Sequence, residues 1–344
     1  MTTEVRTGRP PRSSSARDHA RSTWHAFSAL QQRLPVLQVA AVLAAFAWGA
    51  IHVPGFAGRT AVVSTLVLAS LLGLASVGQT LVVLIGGLDL AVPGYISVGA
   101  VMAAQLGGGH HWPLTATAAL AVVVCSLAGA VSGWICQHFA VESLVVTLGM
   151  YSILVSGILI ATNANIVDAP PAALTNWTSV GGTTLGLPVP AVVMVWLVVT
   201  VVAGVVLART RPGRHLYASG ANPRAAALMK VRTGRIWVTV FALSGALSAL
   251  AGMLIAGFAS GATPTTGDPY LFSGIAAVIV GGTTLGTARG SYTRTMLGAL
   301  FLTELTTILA GQGFQQGDNQ ILFGIIILIV VASYGRQRRL NDRV

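Results

Sequence analysis

The sequence predicts an all-α polytopic membrane protein of about ten transmembrane helices, with both termini on the cytoplasmic side. Three observations carry this. The chain is 54% hydrophobic and only 8% charged, against roughly 25% charged residues in a soluble domain, and its mean hydropathy is +0.76. Its apolar runs recur at lengths that cross a bilayer, which takes roughly 20 residues. Its basic residues alternate with those runs so that one side of the membrane holds almost all of them.

Residues 1–34 are rich in Arg, Ser and Pro with no apolar core, and read as a disordered basic cytoplasmic tail. The first apolar run, 35–53, has no small-residue cleavage pattern and is expected to be retained as span one. Further spans are expected near 61–85, 91–107, 113–136, 143–162, 188–208, 236–259, 271–287, 294–311 and 319–334. Together they make a transmembrane domain over 35–335, followed by a basic cytoplasmic tail at 336–344. The second and third spans are separated only by GGLDLAVPG. Its glycines and proline free backbone groups that must be buried in protein or face a wet cavity, so a broken or re-entrant helix is expected there.

With the N-terminus inside, 19 of the 20 Lys and Arg residues fall on cytoplasmic segments and only Arg59 lies outside. An odd number of spans would put the RQRR tail on the wrong side. The net charge of +11 therefore reflects membrane orientation and contact with lipid. Because the basic residues sit at span ends, they form no stripe for nucleic acid. Outer loops are expected near 54–60, 108–112, 163–187, 260–270 and 312–318, the longest of them (163–187) being a candidate docking surface.

Several chemistries are excluded. The one lysine, Lys230, lacks the glycines of a phosphate-binding loop, and no HExxH or CxxC spacing is present. Nor is there a GxSxG nucleophile elbow. Cys125 and Cys136 are eleven residues apart on one apolar run, about 16 Å along a helix, beyond the roughly 7 Å that a disulfide tolerates. The ionisable residues in or beside the runs are chiefly Asp89, Glu142 and Glu304. Glu142, beside a short inner loop, is expected to be solvated. Asp89 is expected to stabilise a broken helix at the cytoplasmic end of a path. Glu304, with Thr303, Thr306 and Thr307 around it, either lines a translocation path or bonds a neighbouring helix.

The longest basic segment after the N-terminal tail is 209–235, with seven cations and no acid. Asn222 is a suitable N-cap and Pro223 suits the first helical turn. RAAALMK then favours helix, ending at Thr233–Gly234. Two turns of helix are marginal alone in water, and the apolar Ala, Leu and Met residues argue that something docks there.

The residues GRHLYASGANPRAAALMKV resemble the cytoplasmic loop of permease subunits of bacterial ABC importers for simple sugars, the ribose/xylose/galactose type. The family pattern is met by Gly213, Arg214, Tyr217, Ala218, Gly220, Asn222, Ala225 and Ala226. GQTLVVLIGGLDLAVPG, VVTLGMYSILVSG and IAAVIVGGTTLGTARGS resemble three further family segments, in the family's order. Ala91 and Pro93 depart from its usual serine and glycine, and Leu271 and Ser273 stand where many members carry acids. The resemblance implies a coupling helix that includes Pro223 and Leu228 and is bound by a partner cytoplasmic ATPase. It also implies an extracytoplasmic sugar-binding protein, a second permease copy or paralogue, and no cofactor of the chain's own, since ATP is used by the partner. Branched-chain amino-acid permeases share this architecture, although the Gly-Arg-x-x-Tyr-Ala pattern leans toward sugars. An ion-coupled secondary transporter or channel would need coupling sites in the spans, where ionisable groups are few and unpaired. A membrane-embedded enzyme would need a catalytic set, and none is recognisable.

Overall fold

The computed structural model describes residues 35–165, 168–315 and 317–328; the expectations for 1–34 and 336–344 lie outside them. The described chain is helical, with two isolated bridges, Thr184–Leu187 and Thr284–Arg289. Its helices are α1 (Val36–His52), α2 (Arg59–Leu84), α3 (Val92–Met102, running into a π-helical turn at Ala103–Gly109), α4 (Leu114–His138), α5 (Ser143–Thr162) and α6 (Ala172–Thr178). Then come α7 (Ala191–Arg209), α8 (Arg211–Ala221), α9 (Pro223–Leu228), α10 (Thr233–Ala259), α11 (Pro269–Val280) and α12 (Tyr292–Gly311). The last is α13 (Gly317–Leu328). Each of the ten expected span intervals holds a helix. Five of these (α2, α4, α5, α7 and α10) are long and apolar enough to cross a membrane unaided.

Burial separates the core from the lipid face. The apolar windows of α2 and α10 are 67% buried, against 17–28% for α4, α5 and α7, so α2 and α10 form the centre. In lipid, helices associate through close packing rather than a hydrophobic driving force, and small residues make the contacts here. A Cβ on Gly245 of α10 would stand 2.1 Å from the Cys125 carbonyl oxygen of α4, and one on Gly129 of α4 would stand 2.1 Å from that of Phe241 of α10. Tyr292 joins three helices: its hydroxyl donates to the Gly73 carbonyl (2.8 Å) and accepts from Trp196 Nε1 (3.2 Å). Cys125 and Cys136 are both free and buried.

Two helices end alike on the face that carries residues 209–235. After α2, Gly86 N–H bonds the Val83 carbonyl and Gly87 N–H that of Val82; after α11, Gly282 N–H bonds Ile279 and Thr283 N–H bonds Val278. Both are Schellman ends. Gly86 and Gly282 sit at φ +91° and +87°, where a Cβ would be strained. The two Gly-Gly pairs thus close their helices in the same way, with the left-handed glycine first in the Gly86–Gly87 pair and second in the Gly281–Gly282 pair.

Three expectations are corrected. Residues 209–235 hold two helices, α8 and α9, instead of one, and Thr233–Gly234 open α10 instead of closing α9. Residues 163–187 are not simply an outer loop, since α6 packs Leu174 against Gly257 at the far end of α10. The interval 271–287 holds only α11, whose 12 residues span about 18 Å, short of the roughly 30 Å hydrocarbon core.

Candidate functional site

The residues singled out in 209–235 are mostly joints. Thr210 caps α8, its side-chain oxygen accepting from Gly213 N–H at 3.3 Å. Gly213 lies so close to the end of α7 that a Cβ would be 2.4 Å from the Val206 and Leu207 carbonyl oxygens. Arg214 Nη1 donates to the Arg209 carbonyl at 3.2 Å, satisfying a helix-end acceptor of α7. Tyr217 donates its hydroxyl to the Gly290 carbonyl at 2.8 Å. Burial raises that hydroxyl above its ordinary pKa, with the Arg294 charge opposing the shift, so it remains a donor at neutral pH. Gly220 abuts the end of α2: a Cβ there would be 2.0 Å from the Leu84 carbonyl oxygen and 3.2 Å from Ala288 Cβ. Gly220→Val is therefore expected to overpack this joint and cost about 1–3 kcal/mol, read as a lower melting temperature of the purified protein.

Asn222 caps α9 as the sequence suggested, its Oδ1 accepting from Ala225 N–H at 3.0 Å. Pro223 opens the helix. Ala226 is buried against the body, whereas Leu228 and Met229 stand 85% and 80% exposed at the tip. Ala218 and Ala225 are exposed. Two apolar side chains therefore project from a cationic, acid-free segment.

The joints lead to the break between α2 and α3. Beyond the Schellman end, Leu88 N–H donates to Ser143 Oγ (3.0 Å) and Leu90 N–H to Thr147 Oγ1 (2.9 Å), both on α5. Asp89 is wholly buried. Its Oδ1 accepts from Ala91 N–H at 3.0 Å and its Oδ2 from Ser244 Oγ of α10 at 2.7 Å. The neighbouring turn also belongs here, since Gly286 Cα lies 3.5 Å from where a Cβ on Gly86 would be. Sequence reasoning missed Ser143, Thr147 and Ser244, which signal nothing alone because hydroxyls are common in apolar helices.

Thr303, Glu304 and Thr307 lie elsewhere, on α12. The Thr303 and Thr307 hydroxyls bond carbonyls one turn back, at Ala299 and Thr303. Glu304 is buried, and its Oε2 has no partner among the described residues. One turn on, Ile308 meets the α1 position Gly49. The structure thus does not bring this patch to the Asp89 break. Glu142 is exposed. A cavity of about 570 Å³ opens between α7, α8 and α10, but its walls are mostly aliphatic, with His215, Arg235 and Thr239 the polar side chains among them. Among the described residues no cluster of His, Cys, Asp or Glu fits a metal ion.

Comparison with known proteins agrees with this architecture. The family model described as branched-chain amino acid transport system / permease component matches residues 61–331. The ribose import permease protein RbsC of Escherichia coli K12 is 34% identical over 261 residues, covering 74% of this chain and 79% of that protein. The probable ABC transporter permease protein YphD of the same strain is 32% identical over 281 residues, covering 82% and 83%. The fructose import permease protein FrcC of Rhizobium meliloti is 30% identical over 297 residues, covering 85% and 82%. No solved structure matches. A family model spanning most of the chain, and relatives aligned over 74–85% of it, place the chain in the family of transport-system permease components.

Proposed function

We propose that this chain is the membrane-spanning permease subunit of an ATP-driven ABC importer for a simple sugar or similar polyhydroxylated solute. It would lie in a bacterial inner membrane with the 209–235 face in the cytoplasm. The observation that carries this reading is the α8–α9 unit. It is jointed to the ends of α2 and α7 and to the turn before α12, and it presents Leu228 and Met229 outward. A solvated loop has no use for such a build, whereas a lever that takes up the motion of a docked ATPase needs it. The relatives named for ribose and fructose support sugar over amino acid as the cargo class. The resemblance adds an extracytoplasmic binding protein that delivers the solute, and a second permease, identical or paralogous, that completes the pathway.

The test is reconstitution in proteoliposomes with a partner ATPase and an extracytoplasmic sugar-binding protein that co-purify with the chain. Uptake of D-ribose or D-fructose that requires ATP and both partners is the expected result. Uptake by the chain alone, driven by an ion gradient, would instead establish an ion-coupled transporter.

A further inference from the structure

Residues 260–268, SGATPTTGD, are expected from hydropathy to be an outer loop, yet the chain goes deep into the bundle there. Gly267 N–H donates to Ser97 Oγ at 3.0 Å, and a Cβ on Gly267 would stand 2.0 Å from the Pro93 carbonyl oxygen. Between those two α3 residues lies Tyr95, whose carbonyl lies 3.9 Å from the Cys125 sulfur. Cys125 in turn packs on Gly245. Cys125 is near the middle of α4 and Gly245 near the middle of α10, so Gly267 lies near mid-membrane. A second measure agrees. A Cβ on Gly274 of α11 would lie 3.6 Å from Ser76 Oγ of α2, which sets the start of α11 beside the middle of α2.

Non-helical backbone at that depth persists only where it is covered by protein or lines a wet cavity. Gly267 is covered, but Thr263 and Thr265 are exposed and Asp268 is only partly buried. A Cβ on Gly261 would meet no atom within 4 Å. Asp268 precedes α11 but does not cap it through its side chain. Its Oδ1 accepts instead from the Tyr151 hydroxyl of α5 at 2.8 Å, and no further hydrogen bond to the carboxylate forms among the described residues. A charge at the bilayer centre costs about 2.5–3.5 kcal/mol even on insertion scales, so lipid is the wrong neighbour for this carboxylate. Three threonine hydroxyls lie on the same short segment: Thr266 Oγ1 accepts from Thr263 N–H at 2.7 Å, and the Thr263 hydroxyl lies 3.4 Å from that of Thr265 and 3.2 Å from that of Thr266.

We propose that residues 260–268 form the solute station of the pathway, a mid-membrane site for a neutral polyhydroxylated solute. Thr263 and Thr265 offer hydroxyls that both donate and accept, and the Asp268 carboxylate accepts. Tyr151 is a positioning residue that aims the carboxylate. Ligand sites combine apolar walls with a few placed polar groups, and half-exposed Phe272, in the first turn of α11 after Asp268, is the apolar side chain available for such a wall. The proposal rests on the import reading above and names where on the chain the cargo is held.

Two measurements on the full assembled transporter test it and keep its failure distinct from that of the import reading. In the first, Thr263→Cys and Thr265→Cys are exposed to a small, charged, membrane-impermeant thiosulfonate, with the unmodified chain and its two buried cysteines as the blank. Modification in at least one nucleotide state is expected, whatever the cargo is; inert thiols in every state would overturn the station. In the second, with D-ribose or D-fructose as probe, Asp268→Asn is expected to lower uptake at least tenfold while ATP hydrolysis continues. Tyr151→Phe should raise the apparent KM severalfold with a smaller change in the maximal rate. Full uptake by Asp268→Asn would also overturn the station. A wild-type transporter that moves neither sugar defeats the sugar reading alone, since the labelling result stands without it.

Discussion

Leu228→Asp combined with Met229→Asp is expected to abolish ATP-dependent uptake while leaving the amount of chain in the membrane unchanged. The two side chains are 85% and 80% exposed, so their replacement removes no packing within the chain and insertion should not suffer. A partner that docks on them would bury about 1.5–3 kcal/mol worth of side chain apiece. It would instead have to desolvate two carboxylates, a several-kilocalorie reversal and enough to reduce occupancy at least a hundredfold. Co-purification of the ATPase reports the contact and uptake reports its consequence. Retained uptake by the double variant would remove α9 from the coupling role.

What the sequence made legible follows the physics of each signal. Apolar runs reveal helices because burial in lipid demands them, and all ten intervals hold one. The Asn222–Pro223 start was readable because capping and the missing proline N–H are local, and the Asn222–Ala225 bond has the form that the residue types imply. The break around Asp89 was readable from glycine and proline. Its partners were not, because Ser143, Thr147 and Ser244 are set by tertiary packing. The α8 helix escaped notice because RPGRHLYASGA carries two glycines and little apolar residue; its stability comes from joints at Gly213, Tyr217 and Gly220. Residues 260–268 misled for a related reason. A polar stretch between two apolar runs has the same hydropathy whether it hangs outside the membrane or folds into its centre. Tertiary contacts, such as those of Gly267 with Pro93 and Ser97, separate the two cases.

The second large effect is expected at Asp89. Asp89→Ala leaves the Ala91 N–H without its acceptor at a fully buried site, at a cost of about 1–3 kcal/mol, and opens a void beside it. The Ser244 hydroxyl can turn back to a carbonyl on its own helix, so its loss is smaller. Asp89→Asn keeps the shape. Its amide oxygen accepts from Ala91 N–H and its amide nitrogen donates to Ser244 Oγ, so melting temperature and uptake should both stay near wild type. The alanine variant should melt lower and should hydrolyse more ATP per solute imported. That last expectation follows from position. The α8 helix touches the end of α2 at Gly220, α2 runs into the break, and Asp89 ties the break to the central helix α10 through Ser244. Spatial continuity alone does not establish coupling, and a double-mutant cycle supplies the direct test. If Asp89 acts on α10 through Ser244, then Asp89→Ala with Ser244→Ala should be no worse in uptake than Asp89→Ala alone. Additive losses would show two independent roles. Equal damage from Asn and Ala would show that position 89 must carry its charge, beyond its two bonds.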